Sequence, residues 1–385
     1  MPDHSPPLTL EWDQVIAWRL RRHHLDERVP SADLLPVVAG IAGLHAQVMS
    51  SAELTLWARV DGLEPDAVQR ALWEDRRLVK TWAMRGTLHL LPADELPLWQ
   101  AALSTRRSYA RPSWQRGFGV TLEQLETMLS AIGQALDGRV LAREALADEV
   151  AGITGSAELG DKLRGNWGAL LKPAASQGIL CFGPSDGQRV RFTRPDQWLG
   201  GWRDEDPDAA VLETARRFLA ASGPVTREDY ARWWGMTSAD AGRVLKRLGD
   251  EVVPVAVGGA GTGARAWVLA AHAEEIPEAT LPPSVRLLPA FDQYVVTATR
   301  HAGQLMPGPF KERVYRPQGW LSPVLLGGGR MLGTWRPQRK GSRLQVTVAP
   351  FVELPARVRR AAEDEAERLA AWSGARLELA WEAPA

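Results

Sequence analysis

The chain has 385 residues, with 46 basic side chains against 46 acidic ones, 45% hydrophobic residues and 24% charged residues. That is the make-up of a globular chain long enough for two or three domains. Zero net charge excludes a globally cationic nucleic-acid coat protein but leaves room for local basic surfaces. The single cysteine, Cys181, excludes a disulfide framework, a cysteine-built zinc site and an iron–sulfur cluster. The longest apolar run, Leu34–Leu44, is eleven residues, too short to cross a bilayer. Residues 1–7 carry neither a basic n-region nor an apolar h-region, so they read as a short disordered lead-in, and the cytoplasm is the expected location.

The predicted elements recur as two or three helices followed by a hairpin. In the first copy Thr9 is the expected N-cap of a helix whose Trp12, Ile16 and Leu20 share one face. Ser31 is the expected cap of a second helix carrying Leu34, Leu35, Val38 and Ile41. A third holds Leu54, Leu56 and Trp57, and Pro65 opens a fourth. Leu78–Met84, a turn at Arg85-Gly86 and Thr87–Leu91 then predict a hairpin. The second copy opens on the capping box Thr121–Gln124, with Leu125, Leu129, Ile132 and Leu136 at helical spacing, and closes on strands Ile179–Phe182 and Gln188–Phe192. The third has capping signals at Thr226–Asp229 and Thr237–Asp240, a break at Gly235, and strands Val252–Val257 and Ala266–Leu269 around a glycine-rich tip, Gly258–Gly263. Helices followed by a hairpin is the winged-helix order. The last hundred residues differ: Arg286–Pro289, Tyr294–Thr299, Arg330–Trp335 and Leu344–Ala349 read as strands, Arg357–Trp372 as a helix and Arg376–Trp381 as a closing strand. The expected fold class is therefore α+β, with winged-helix units at 1–115, 116–205 and 206–280 and a C-terminal β-rich domain at 281–385.

Charge is unevenly placed. Residues 286–343 hold ten basic and two acidic side chains, and residues 70–116 hold nine and four. Such stretches, interleaved with Tyr315, Trp320 and Trp335, suit a phosphate backbone and stacked bases, the bland alternative being a strand edge protected by charge. No zinc signature, P-loop, dinucleotide fingerprint or nucleophile elbow is present, and no metal or cofactor is expected. One polar cluster interrupts an apolar context: Gly43-Leu44-His45-Ala46-Gln47. Its His45 and Gln47, two apart near a helix end, can reach one pocket, although an isolated His-x-Gln is most often a surface or capping detail.

Several further segments accompany that cluster: Leu56-Trp57-Ala58-Arg59; Trp82–Leu90; Gly178–Gly187 with its Cys-Phe-Gly-Pro; Leu288-Pro289-Ala290-Phe291-Asp292-Gln293-Tyr294 followed by Arg300; and Gly319–Leu326 leading to Gly333-Thr334-Trp335-Arg336. In this order, from Trp12 to Trp381, they resemble the AlkZ-like winged-helix DNA glycosylases, a bacterial family that includes resistance enzymes for DNA-alkylating antibiotics. The resemblance implies three tandem winged helices around a concave DNA channel plus the C-terminal β-rich domain, in a monomer acting on double-stranded DNA that carries a damaged purine. The family's Gln-x-Gln or Gln-x-Asp catalytic motif falls on His45 and Gln47. The second position agrees and the first departs from it, which implies a narrower substrate range.

The chemistry implied is spare. Guanine alkylated at N7 is already cationic, so it leaves without an acid. A positioned water and a stabilised oxocarbenium ion suffice, with Gln47 orienting the water and a neutral His45 accepting its proton. The lysine nearest in sequence is Lys80, so a monofunctional enzyme without lyase activity is expected. The resemblance also places Arg85 and His89 on the first wing and Asp292 and Arg300 on C-terminal strands beside the channel. A structural salt bridge is the alternative for the last two. Arg336, Arg339 and Lys340 are further DNA contacts expected from the basic stretch. Trp57 and Trp82 are expected in the core, and Cys181 in a strand. The competing reading is a binding module: a winged-helix transcription regulator or a protein that sequesters a DNA-damaging compound. A regulator is usually a dimer, and no heptad seam is present. Base release from alkylated DNA separates the readings from salt-dependent binding to undamaged promoter DNA.

Overall fold

The structure is a computed structural model that describes residues 8–165, 168–258 and 264–385; the expected lead-in at 1–7 and residues 259–263 of the glycine-rich tip lie outside the described residues. The chain packs as two compact units, residues 1–67 with 215–385, and residues 68–214.

In the first unit, helix Trp12–Arg22 buries Val15, Ile16, Trp18 and Leu20. Glu11, not Thr9, occupies its N-cap, and the Glu11 backbone N–H donates to Gln14 Oε1 at 2.8 Å. Thr9 instead belongs to strand Leu8–Leu10, which pairs in parallel with Val252–Val257. Arg19 is buried on the same helix and donates to the Ser222 and Pro224 carbonyls at 2.9 and 2.7 Å. Ser31 opens a single 3-10 turn ahead of helix Leu34–Gly40. Helix Met49–Trp57 follows. Further along, the side chains of Thr226 and Thr237 cap helices Arg227–Trp234 and Ser238–Arg247, and strands Val252–Val257 and Ala264–Leu269 form an antiparallel hairpin.

The C-terminal segment of this unit builds a five-stranded sheet in the order Val285–Leu288, Val324–Gly327, Arg330–Lys340, Arg343–Pro350, Arg376–Trp381. Helix Ala356–Trp372 joins the last two strands, which run parallel, as a crossover requires. Arg330–Trp335 alternates partly buried and buried residues, whereas Arg336–Arg343 is exposed at every position, so that the end of this hairpin faces solvent on both sides. Gly329, at φ +75°, admits the first helix to the sheet: a Cβ there would lie 2.2 Å from Ile16 Cγ2.

In the second unit, strands Leu78–Trp82 and Leu88–Pro92 form the first hairpin, closed by a 3-10 turn at Met84–Gly86 in which Arg85 is left-handed at φ 57°. Thr121 caps helix Leu122–Ala135 through a reciprocal pair of hydrogen bonds with Gln124. Strands Cys181–Asp186 and Arg189–Thr193 pair antiparallel, with Leu141–Ala142 on the other side of the latter. Leu125, Leu129, Ile132, Phe182, Phe192 and Trp82 share one core.

One expected strand is not a strand. Residues 293–297 form a short helix, followed by a 3-10 turn at Ala298–His301. The β-branched run there favours a strand locally. Asp292 overrides it by accepting the Tyr294 backbone N–H at 2.9 Å as an N-cap, while Tyr294 and Val295 are buried. Asp292 and Arg300 therefore lie on a helix cap and a 3-10 turn rather than on strands.

Candidate active site

The chain leaves helix Leu34–Gly40 through two left-handed residues, Ala42 at φ 59° and Gly43 at φ 90°. This reversal delivers Leu44–His45 as a short extended segment and turns the chain again into helix Met49–Trp57. His45 is 6% exposed, and Gln47 is exposed at the bend between the two. The motif thus offers one sheltered imidazole and one solvent-facing amide within three residues.

What holds the imidazole comes from the far end of the same unit. Phe291, itself left-handed at φ 60°, stacks on His45 with ring centroids 4.8 Å apart and planes 8° from parallel. Gln293 Nε2 donates to the Gly43 carbonyl at 2.6 Å, fixing the reversal that aims the motif. Between them, Asp292 takes both guanidinium nitrogens of Arg59, at 2.7 and 2.9 Å, and both side chains are fully buried. Arg59 also donates to the Thr55 carbonyl in the last turn of the helix after the motif. Three consecutive residues therefore grip the imidazole, the turn before it and the helix behind it. Phe291, Gln293 and Arg59 had no role assigned from sequence. Their signal was that they stand in the segments that carry the family resemblance.

His23 packs edge-on to Tyr294 at 5.6 Å, with both ring nitrogens buried and without a hydrogen-bond partner among the described residues. Burial, reinforced by the guanidiniums of Arg59 and Arg19, drives its pKa well below the ordinary histidine value. It is a neutral spacer in a cationic neighbourhood. Asp229 is the opposite case. Burial opposes its charge, but the hydrogen bond and charge of His301 and the Thr226 backbone N–H outweigh that and hold its pKa at about 2.

The remaining expected site residues are spread out. Arg85 sits at the turn of the first hairpin and lines a pocket of the second unit with Arg106, Tyr109, Trp114 and Lys172. His89 is on the same hairpin but wholly buried, its Nδ1 3.0 Å from the Thr87 carbonyl, so its ring does not face outward. Asp292 is likewise interior, occupied by Arg59. Arg300 pairs with Asp229 at 3.1 Å and is 45% exposed. Both residues therefore make ion pairs within the protein. Arg336, Arg339 and Lys340 lie on the exposed end of the Arg330–Lys340 strand. Arg336 pairs with Glu382 at 2.6 Å, and Arg339 donates to the Ser373 carbonyl at 2.7 Å. Trp57 and Trp82 are core residues, and Cys181 is buried in its strand. Among the described residues no cluster of His, Cys, Asp and Glu is arranged to hold a metal ion, and no helix is long and apolar enough to cross a membrane.

The motif and the C-terminal residues that hold it both lie within one family match. The profile of the AlkZ-like DNA glycosylases matches residues 38–372, and the chain is a member of that family. It is similar to the interstrand DNA cross-link repair glycosylase of Streptomyces sahachiroi, with 35% identity over 369 residues covering 94% of this chain and 96% of the relative. The solved structure of the Streptomyces sahachiroi DNA glycosylase AlkZ superposes with a TM-score of 0.86, covering 97% of this chain and all of the other at 35% identity.

Proposed function

We propose that the protein is a monofunctional DNA glycosylase that hydrolyses the N-glycosidic bond of bulky or alkylated N7-guanine adducts in double-stranded DNA, in repair or in self-resistance to a DNA-alkylating antibiotic. The observation that carries this reading is the His45–Gln47 motif, a fixed imidazole two residues from an exposed amide, in a chain of the AlkZ-like family. The cross-link repair activity in the relative's name supports the substrate class.

In the proposed reaction the C1′–N9 bond breaks and its electron pair passes into the purine, neutralising the cationic N7 centre. A water held by the Gln47 amide supplies its oxygen to C1′. Its proton passes to the His45 imidazole, which the Phe291 stack keeps in one orientation. In this reading the winged-helix units divide at 115, 205 and 280, DNA is contacted by Arg85 in one compact unit and by Arg300, Arg336, Arg339 and Lys340 in the other, and the 281–385 domain supports the motif.

Single-turnover base release from duplexes carrying N7-guanine adducts tests this. Gln47→Ala and His45→Ala should each slow release by about 10²–10⁴, with DNA affinity within twofold of wild type and no strand scission before alkali treatment. Release at the wild-type rate by both variants would move the active site elsewhere. Strand scission without alkali would replace the monofunctional reading with a lyase.

A further inference from the structure

The imidazole of His45 is the inner end of an aromatic ladder that reaches solvent. Phe291 stacks on His45, and Trp320 lies against Phe291 with centroids 5.2 Å apart and planes tilted by 51°. Trp320 is 52% exposed, the highest value for a large hydrophobic side chain among the described residues. The half-exposed indole rests on Phe291 and keeps part of its π surface open to solvent.

The loop that presents this ring is braced. The Arg316 backbone N–H donates to the Trp320 carbonyl at 2.8 Å, and the Ser322 N–H donates to Val314 O at 2.9 Å. The Ser322 hydroxyl donates to Arg313 O at 2.7 Å, and the Tyr315 hydroxyl to Val295 O at 2.9 Å. Gln318 at φ 57° and Gly319 at φ 79° make the tight reversal that precedes the indole, and the left-handed conformation is strained for a non-glycine residue. A local strain held by this many bonds keeps the indole displayed instead of letting it fold inward. Beside it lies an open cleft of about 440 Å³ lined by Arg316, Pro317, Trp320, Leu321 and Pro323 with no acidic side chain. Arg316 is exposed and makes no ion pair within the protein among the described residues.

An indole face with a free guanidinium next to it is the arrangement that binds one nucleotide of an unstacked strand, the base on the ring and the phosphate on the cation. We propose that Trp320 and Arg316 form a stacking platform for a DNA base left unpaired beside the reacting nucleotide, continuous through Phe291 with His45. The placement beside the reacting nucleotide rests on the glycosylase reading; the affinity of the platform for an unpaired base does not.

The test measures binding and needs no base release. Fluorescence anisotropy compares two labelled duplexes, one with a normal base opposite a tetrahydrofuran abasic analogue and one with the analogue on both strands. Trp320→Ala should weaken binding to the first by about 5- to 150-fold, the range of one base–aromatic stack, and to the second by less than twofold. Trp320→Phe, which keeps a ring, should recover at least half of the loss on a logarithmic scale. A difference between the duplexes below fivefold, or a Phe variant as weak as the Ala variant, overturns the platform. Wild-type protein that shows the difference yet releases no damaged base overturns the glycosylase reading and leaves the platform standing.

Discussion

Asp292→Asn tests whether the acid faces DNA or holds the fold. In the wild type its two oxygens accept both Arg59 nitrogens at 2.7 and 2.9 Å, and one of them also accepts the Tyr294 N–H, all with no solvent exposure. The amide keeps the size but removes the charge and one acceptor, leaving the Arg59 guanidinium buried without a counter-ion. Breaking one side of a buried pair costs about 3–5 kcal/mol. For a cooperative unit of about 150–250 residues each kcal/mol moves Tm by about 2–4 °C, so the variant should melt about 6–20 °C lower. Adding Arg59→Met to Asp292→Asn should recover part of that loss, because no charge is then stranded and the Asn oxygen can still cap Tyr294. Thermal unfolding followed by circular dichroism reads the first effect, and anisotropy on undamaged duplex well below the transition should show affinity within twofold. A Tm within 2 °C of wild type together with tighter DNA binding would refute the reasoning, since that is how an acid facing the phosphates behaves.

Two further outcomes are expected. The folded-state pKa of His23 is lowered while the unfolded chain takes up a proton below about 6.5, so stability is complete above that value and declines as pH falls, by up to about 1.4 kcal/mol per unit; His23→Phe should flatten this decline in urea midpoints measured from pH 7.5 to 5, and parallel curves would reject His23 as its source. Charge reversal at Arg339 and Lys340, both on the exposed hairpin end, should flatten the plot of log affinity against log salt by about two units, and an unchanged slope would remove that hairpin from the DNA contacts.

Which features were legible in the sequence follows from where their causes lie. The capping boxes at Thr121 and Thr226 are local: donor and acceptor are three residues apart, so the spacing alone announces them. The same is true of hairpins whose strands flank a short turn. The run Tyr294–Thr299 has a strand composition yet becomes helix and 3-10 turn, because Asp292 caps it and burial of Tyr294 selects its geometry. Strand Val324–Gly327, the second of the sheet, was recognised as a family segment but not as a strand, being four residues between a proline and a pair of glycines. At the site, His45 and Gln47 stand two apart in one short segment and are therefore visible as a motif. The burial of His89 and the choice of Arg59 as the partner of Asp292 depend on packing that no local pattern encodes; for Asp292 the sequence left a structural salt bridge open as the alternative, and for His89 it carried no sign of burial.

The distance in sequence between motif and support has a physical consequence. The hydrogen bond from Gln293 to Gly43 spans 250 residues, and the Arg59–Asp292 pair spans 233. In the proposed reaction, two reacting groups depend on where they are held, since a displacement of about 1 Å can cost a hundredfold in rate. Here the holding is done by a helix cap: Asp292 orders residues 293–297, and that order sets both the Phe291 ring on His45 and the Gln293 amide on the motif's reversal. A fragment ending after the third hairpin would keep His45 and Gln47 but lose the stack, the carbonyl bond and the counter-ion of Arg59 together. The family match, from residue 38 to residue 372, takes in both the motif and these supporting residues.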